Sequence, residues 1–227
     1  MNSTHPFWPQ GSVFGVLLNS RAELLALGDQ VTQPPYKGAP RAPVLYLKTA
    51  NTWSPSGADI VVPADVPQVE VGASVAMVMG PARCGVPESA MAPGVAGFVL
   101  LNDLSVPHAS FFRPPVRFKC LDGFLGVGPI CVSPPAVGDP NSLLLEVRVN
   151  GVLRQTVSFS DTVRNAAALL KYVGSFMRLR PGDLLMLGCA ALRPLATVGD
   201  RIDIHVPACA AFGSLSNTLV APREELR

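Results

Sequence analysis

Charged side chains are scarce in this 227-residue chain: 15% are Asp, Glu, Lys or Arg, and the net charge is only +2. The basic residues are scattered, with no Lys/Arg block and no aromatic interleaving, so the electrostatic footprint of a nucleic-acid binder is missing. No apolar run approaches the length of a membrane span, because the most hydrophobic stretch, residues 69–79, is interrupted by Glu70 and Ser74. The apolar run 13–18 is too short for a secretory signal and no cationic residue precedes Arg21, so a cytoplasmic protein is expected. The cysteines, Cys84, Cys120, Cys131, Cys189 and Cys209, are odd in number and form no CxxC pair, which argues against a disulfide framework and against a zinc site. GxSxG, HExxH, Walker and GxGxxG motifs are all absent, and His5, His108 and His205 stand alone.

What is present is a large apolar fraction, 48%, enough to bury well over half the unfolded surface, cut into short elements by 20 glycines and 23 prolines. Residues 1–10 read as a loose arm, and 11–227 as a single domain. β-type runs are expected at 13–18, 44–47 and 60–62, with a Ser/Pro/Gly-rich loop at 51–58. From Val69 to Met79 the apolar residues fall on odd positions, predicting one long strand with Glu70, Gly72 and Ser74 on a less apolar, open face. A short helical turn is expected at 88–91, a strand at 97–101 running into Asn102 and Asp103, and a loop at 107–128 that works through its side chains. Asn150-Gly151 joins runs 143–149 and 152–159 in a type I′ hairpin. One long helix is predicted from an N-cap at Asp161 to about Met177, followed by strands at 184–187, 201–206 and 215–220. The sum is an α+β domain, mainly β.

Chemistry-bearing residues form a cluster rather than a complete motif. Asp103 ends an apolar strand and either caps a turn or faces a cavity. Glu70 is either a solvated strand-edge charge or, with Asp103, part of a hard-cation site. Lys119 lies in the loop richest in charged residues and glycine, with Arg113, Arg117 and Asp122. Lys48 follows an apolar strand and points either into a cleft or into water.

Val16-Leu17-Leu18-Asn19, Pro43 to Lys48 with Asn51-Thr52, Gly97 to Ser105, Lys119 to Phe124 and Leu179 to Asp183 together resemble the fumarylacetoacetate hydrolase family, in order and spacing over nearly the whole chain from Val13. Asn102 to Pro107, with Phe112-Arg113-Pro114 and Lys119-Cys120, look like the N-terminal half, or a separate N-terminal subunit, of an isomerase/decarboxylase within it. The resemblance implies a mixed β-roll core and dienolate chemistry on 5-oxopent-3-ene-1,2,5-tricarboxylate or 2-hydroxyhepta-2,4-dienedioate. It implies a divalent metal, usually Mg²⁺, on Asp103 with Glu70 as a partial substitute ligand. Lys119 and Glu23 are then the catalytic groups, and Lys48, Arg113 and Asn19 the substrate contacts. The family's two strand glutamates fall on Gly72 and Ser74, so metal binding is expected to be weak or substrate-dependent. A homodimer, or a heterodimer with a metal-bearing homologous subunit, is the implied assembly. The other reading is a non-catalytic partner that stabilises such a subunit.

Overall fold

A computed structural model describes residues 6–81, 94–108 and 110–223. In chain order the strands are β1 (Val13–Leu17), β2 (Val44–Lys48), β3 (Trp53–Pro55), β4 (Asp59–Val61), β5 (Val69–Glu70), β6 (Ala73–Met79) and β7 (Val95–Asp103). There follow β8 (Leu125–Val127), β9 (Leu144–Val149), β10 (Val152–Ser158), β11 (Leu184–Met186), β12 (Leu195–Ala196), β13 (Arg201–His205) and β14 (Ser214–Val220). The helices are α1 (Arg21–Ala26), α2 (Val116–Lys119), α3 (Pro134–Val137) and α4 (Ala166–Gly174). A seven-stranded mixed sheet has the order β2-β1-β11-β6-β7-β8-β3, and a five-stranded one the order β10-β9-β13-β14-β4. This is the α+β, β-roll architecture expected.

The main core lies between the two sheets. Val75, Met77 and Met79 of β6 and Phe98 and Leu100 of β7 pack with Leu145, Val147, Ile202, Ile204 and Leu215 of the smaller sheet. Each fully buried side chain of this size contributes about 1.5–3 kcal/mol. The opposite face of the large sheet is buried as well: Ala76, Val78, Val99, Leu101, Leu125, Val127 and Met186 form a second apolar cluster, with Phe7 and Trp53 packed against it. β6 therefore has no open face.

Several expectations change in detail. The single strand over 69–79 is broken at Val71-Gly72, because Val71 N–H donates to Pro194 O and Gly72 O accepts from Asp103 N–H, turning the chain from β5 into β6. The loop at 51–58 contains β3, which pairs in parallel with β8. The long helix shrinks to nine residues, since Asn165, not Asp161, caps it by accepting from Ala168 N–H. Asp161 instead lies in a 3₁₀ turn. The hairpin at Asn150-Gly151 forms with φ of 53° and 77°, the left-handed values its turn requires. The helical turn expected at 88–91 and Cys84 lie outside the described residues. Among the described residues the four cysteines are free.

Candidate active site

The alternation of β2 places Tyr46 and Lys48 on its inward face and half-exposed Leu47 on the other. Gly15 of β1, directly across from Tyr46, leaves the room that the phenol ring occupies; a Cβ there would overlap the ring. The ring is thereby aimed at Asp103, at the end of β7, and the Tyr46 hydroxyl donates to Asp103 Oδ2. Two buried ammonium groups bracket the same carboxylate: Lys48 Nζ lies 2.9 Å from Oδ1, and Lys119 Nζ, at the end of α2, lies 2.7 Å from Oδ2. Burial alone would raise the Asp103 pKa, but the charges of Lys119 and Lys48, with hydrogen bonds from Lys119 and Tyr46, hold it well below the ordinary carboxylate range. Burial and the neighbouring Asp103 keep Tyr46 protonated, its pKa far above a free phenol's.

The two lysines are not equivalent. Lys48 Nζ also donates to the backbone carbonyls of Leu104 at 3.2 Å, Phe124 at 2.7 Å and Lys119, so its protons are consumed by the fold. Lys48, expected at the substrate, holds these three carbonyls together at Asp103. Burial lowers its pKa, an effect that Asp103 opposes. Lys119 Nζ, by contrast, meets Asp103, a long 3.4 Å contact to Ser105 Oγ and the face of the Tyr46 ring, 4.8 Å from its centroid. Residues 119 and 46 are among those lining a cavity of about 700 Å³ whose walls include Phe14, Phe111, Phe112 and exposed Arg113, while the Lys119 ammonium itself is buried against Asp103.

A second group adjoins the first. α1 is capped by Ser20, and its Glu23 carboxylate accepts from Leu18 N–H at 2.9 Å while pairing with Arg193 Nη2. Arg193 Nη1 lies 2.6 Å from Glu70 Oε2. Glu70 and Ser105 in turn exchange backbone hydrogen bonds, linking this group to Lys119 through the Ser105 side chain. Burial raises the Glu23 pKa against the pull of Arg193. Burial would lower Arg193, but Cys189, Glu23 and Glu70 hold it above an ordinary guanidinium. Sequence reasoning missed Arg193, an isolated cation in the aperiodic segment 188–194; no spacing marks it, and only the fold brings it to Glu23, 170 residues away. Asn19, also expected at the substrate, ties two loops together, donating to Arg164 O and Leu187 O and accepting from Arg164 N–H.

These residues do not fit a resident divalent metal. Glu70 is turned to Arg193, and Asp103 is the acidic centre of two ammonium groups. The face expected to be open is filled: a Cβ on Gly72 would lie 2.5 Å from Asp103 O and 3.0 Å from Cys189 Sγ, and the buried Ser74 hydroxyl donates to Gly188 O at 2.7 Å. Cys189 is inert there, its thiol pushed up to about 12 by burial and by Asp103. Among the described residues no group of three or more His, Cys, Asp or Glu could hold a metal ion. The three carboxylates Asp103, Glu23 and Glu70 already face three cations, Lys48, Lys119 and Arg193, so a divalent ion would find no surplus of negative charge.

Residues 12–220 match the family described as fumarylacetoacetate (FAA) hydrolase C-terminal. The 4-hydroxyphenylacetate degradation bifunctional isomerase/decarboxylase of Escherichia coli is 34% identical over 95% of this chain, which covers 48% of that protein. The chain spans about half the length of the curated relatives it matches. Among solved structures, the 5-carboxymethyl-2-hydroxymuconate delta-isomerase of Mycobacterium smegmatis superposes with a TM-score of 0.73 at 26% identity, covering 94% of this chain and 80% of that one. The maleylpyruvate hydrolase of Sphingobium sp. SYK-6, solved with manganese(II) and pyruvate, gives 0.71 at 25% identity, covering 95% and 72%.

Proposed function

The chain belongs to the fumarylacetoacetate hydrolase family, and from that premise we propose that it is a subunit of a 4-hydroxyphenylacetate (homoprotocatechuate) catabolic isomerase/decarboxylase. Its substrates would be 2-hydroxyhepta-2,4-dienedioate, isomerised to the 2-oxo-3-ene form, and 5-oxopent-3-ene-1,2,5-tricarboxylate, which loses CO₂. The observation that supports this reading is the buried Lys119–Asp103 pair, 2.7 Å apart, next to a cavity of about 700 Å³ that residue 119 helps to line and that is wide enough for a small dicarboxylate.

Both reactions pass through a dienolate. Isomerisation removes the proton of the 2-hydroxyl and delivers one to C5, and decarboxylation leaves the electron pair of the broken C–C bond on the same conjugated system. A fixed cation beside the developing oxyanion lowers both barriers, and in this reading Lys119 supplies it and exchanges the proton. Asp103 keeps that ammonium oriented, and Tyr46 closes the third side of the carboxylate. Arg113, exposed on the cavity wall, adds a further cation for a substrate carboxylate. Glu23 is the second acid-base candidate, its pKa raised by burial against the pull of Arg193.

The packed Gly72 and Ser74 positions leave no room for further metal ligands and argue against tight Mg²⁺ binding in this chain. They also support a second reading, in which the chain serves a metal-bearing homologous half as a non-catalytic partner. Turnover of 2-hydroxyhepta-2,4-dienedioate by the purified chain, alone and mixed with such a half, tests both. Activity of the chain alone that falls with Lys119→Met establishes the first; activity only in the mixture, indifferent to that substitution, establishes the second.

A further inference from the structure

We propose that Arg193 is the carboxylate receptor of this site, that it takes over the anion-binding duty for which the family's metal position is disabled here, and that Glu23 occupies it as an internal stand-in until a dicarboxylate arrives. The inference rests on the proposed substrate class.

Three observations carry it. The guanidinium is almost wholly enclosed, yet its Nε–H has no partner among the described residues while both terminal nitrogens hold carboxylates. A guanidinium presents its donors as a planar fork suited to two carboxylate oxygens, so one edge of Arg193 is unfinished. One of its partners, Glu23, belongs to a six-residue helix that reaches the site through Ser20 and the Leu18 amide, and it is a carboxylate with the chemistry of the ligand. Exchanging one carboxylate for another at Arg193 keeps the buried charges balanced, which is what makes the exchange thermodynamically accessible in a dry site. Finally, the volume that a metal-ligating side chain would need at Gly72 is taken by Asp103 O and Cys189 Sγ, so the cations left to meet an anion are side chains.

In this arrangement a linear dicarboxylate places one end on Arg193 and its oxyanion-forming end toward Lys119, the two being linked through Glu70 and Ser105. Binding displaces the Glu23 carboxylate from Arg193. No bound metal is required for recognition.

Calorimetric titration with heptanedioate, an unreactive dicarboxylate of the proposed chain length, in the presence of EDTA, tests this with the full chain. Wild type is expected to bind in EDTA, with little change when EDTA is replaced by excess Mg²⁺. Glu23→Gln should tighten binding by about tenfold, because the competing carboxylate is gone, and Arg193→Gln should weaken it by at least about tenfold, as loss of one charge-assisted pair does. Arg193→Lys, which keeps the charge but loses the fork, should fall between the two extremes. A merely structural Glu23–Arg193 pair predicts that both neutral variants weaken binding together, and that outcome overturns the proposal; so does binding that appears only with Mg²⁺. If Arg193→Gln does not fold, the direction of the Glu23→Gln shift decides. Heptanedioate binding with these shifts but no turnover would retire the proposed reaction and leave the receptor standing; turnover with binding indifferent to Arg193 would do the reverse.

Discussion

Replacing Asp103 by Asn removes the one negative charge that two fully buried ammonium groups share, at nearly constant volume. The carboxylate lies 2.9 Å from Lys48 Nζ and 2.7 Å from Lys119 Nζ, and the amide that replaces it can accept from only one of them. Breaking a buried pair by deleting one partner costs about 3–5 kcal/mol, because the other charge is left uncompensated. For a domain of this size about 1 kcal/mol moves Tm by about 2–4 °C, so the expected drop is roughly 6–20 °C. The pH dependence carries a signature. Asp103 titrates in the folded protein below its ordinary 3.8, so its contribution is fully present above that value and is lost as pH falls through the depressed folded range. The wild-type advantage should be flat near neutrality and shrink in acid. It should also narrow in alkali, where the variant relieves its excess charge by deprotonating a lysine. Scanning calorimetry of both proteins from acid to alkali measures this, and a second variant, Asp103→Asn with Lys119→Met, should regain part of the loss, since only one ammonium then remains. A loss below about 1 kcal/mol at neutral pH, the worth of a surface pair, would refute the picture of two desolvated cations on one carboxylate.

Lys119→Met should cut turnover by about 10²–10⁴-fold, the usual worth of a positioned acid-base group, measured as loss of diene absorbance; retention within about tenfold removes Lys119 from the chemistry. Gly72→Glu with Ser74→Glu, which would create a strong Mg²⁺ site on an open face, should instead destabilise the chain by more than about 2 kcal/mol without tightening Mg²⁺ binding, because the added atoms collide with Asp103 O and Cys189 Sγ; denaturant titration and calorimetry check both halves. Gly15→Ala should push the Tyr46 ring off Asp103, costing about 1–3 kcal/mol of stability and weakening activity in parallel.

Strand positions were legible because alternation and turn residues act locally: the hairpin at Asn150-Gly151 and the β-type run at 44–47 need nothing beyond neighbouring residues. Asp103 and Lys119 were legible for a related reason, one ending an apolar run and the other standing in a loop of charged residues. What could not be read is set by packing across the chain. The even face of 69–79 looked open because its residues are small and polar, yet small residues mark close approach as readily as vacancy, and here the close approach is that of the Asp103 backbone and Cys189. Lys48 and Asn19 looked available, but their donors go to carbonyls distant in sequence. Helix α4 begins at Asn165 rather than Asp161 because 159–161 first form a 3₁₀ turn, with Phe159 N–H donating to Leu143 O.

The hydrogen bonds of Lys48 have a consequence for how this scaffold can be altered. Carbonyls at Leu104 and Lys119 are held by the same nitrogen atom, so the two ends of the stretch between them are pinned to one point. Phe111 to Val116, within that stretch, form one wall of the cavity. Lengthening a pinned loop adds closure entropy only logarithmically, about 0.6 kcal/mol per doubling. The wall is thus separable from its anchor: residues 111–115 can be exchanged to reshape what the cavity admits, while Leu104, Ser105 and α2 keep the ammonium clasp in place.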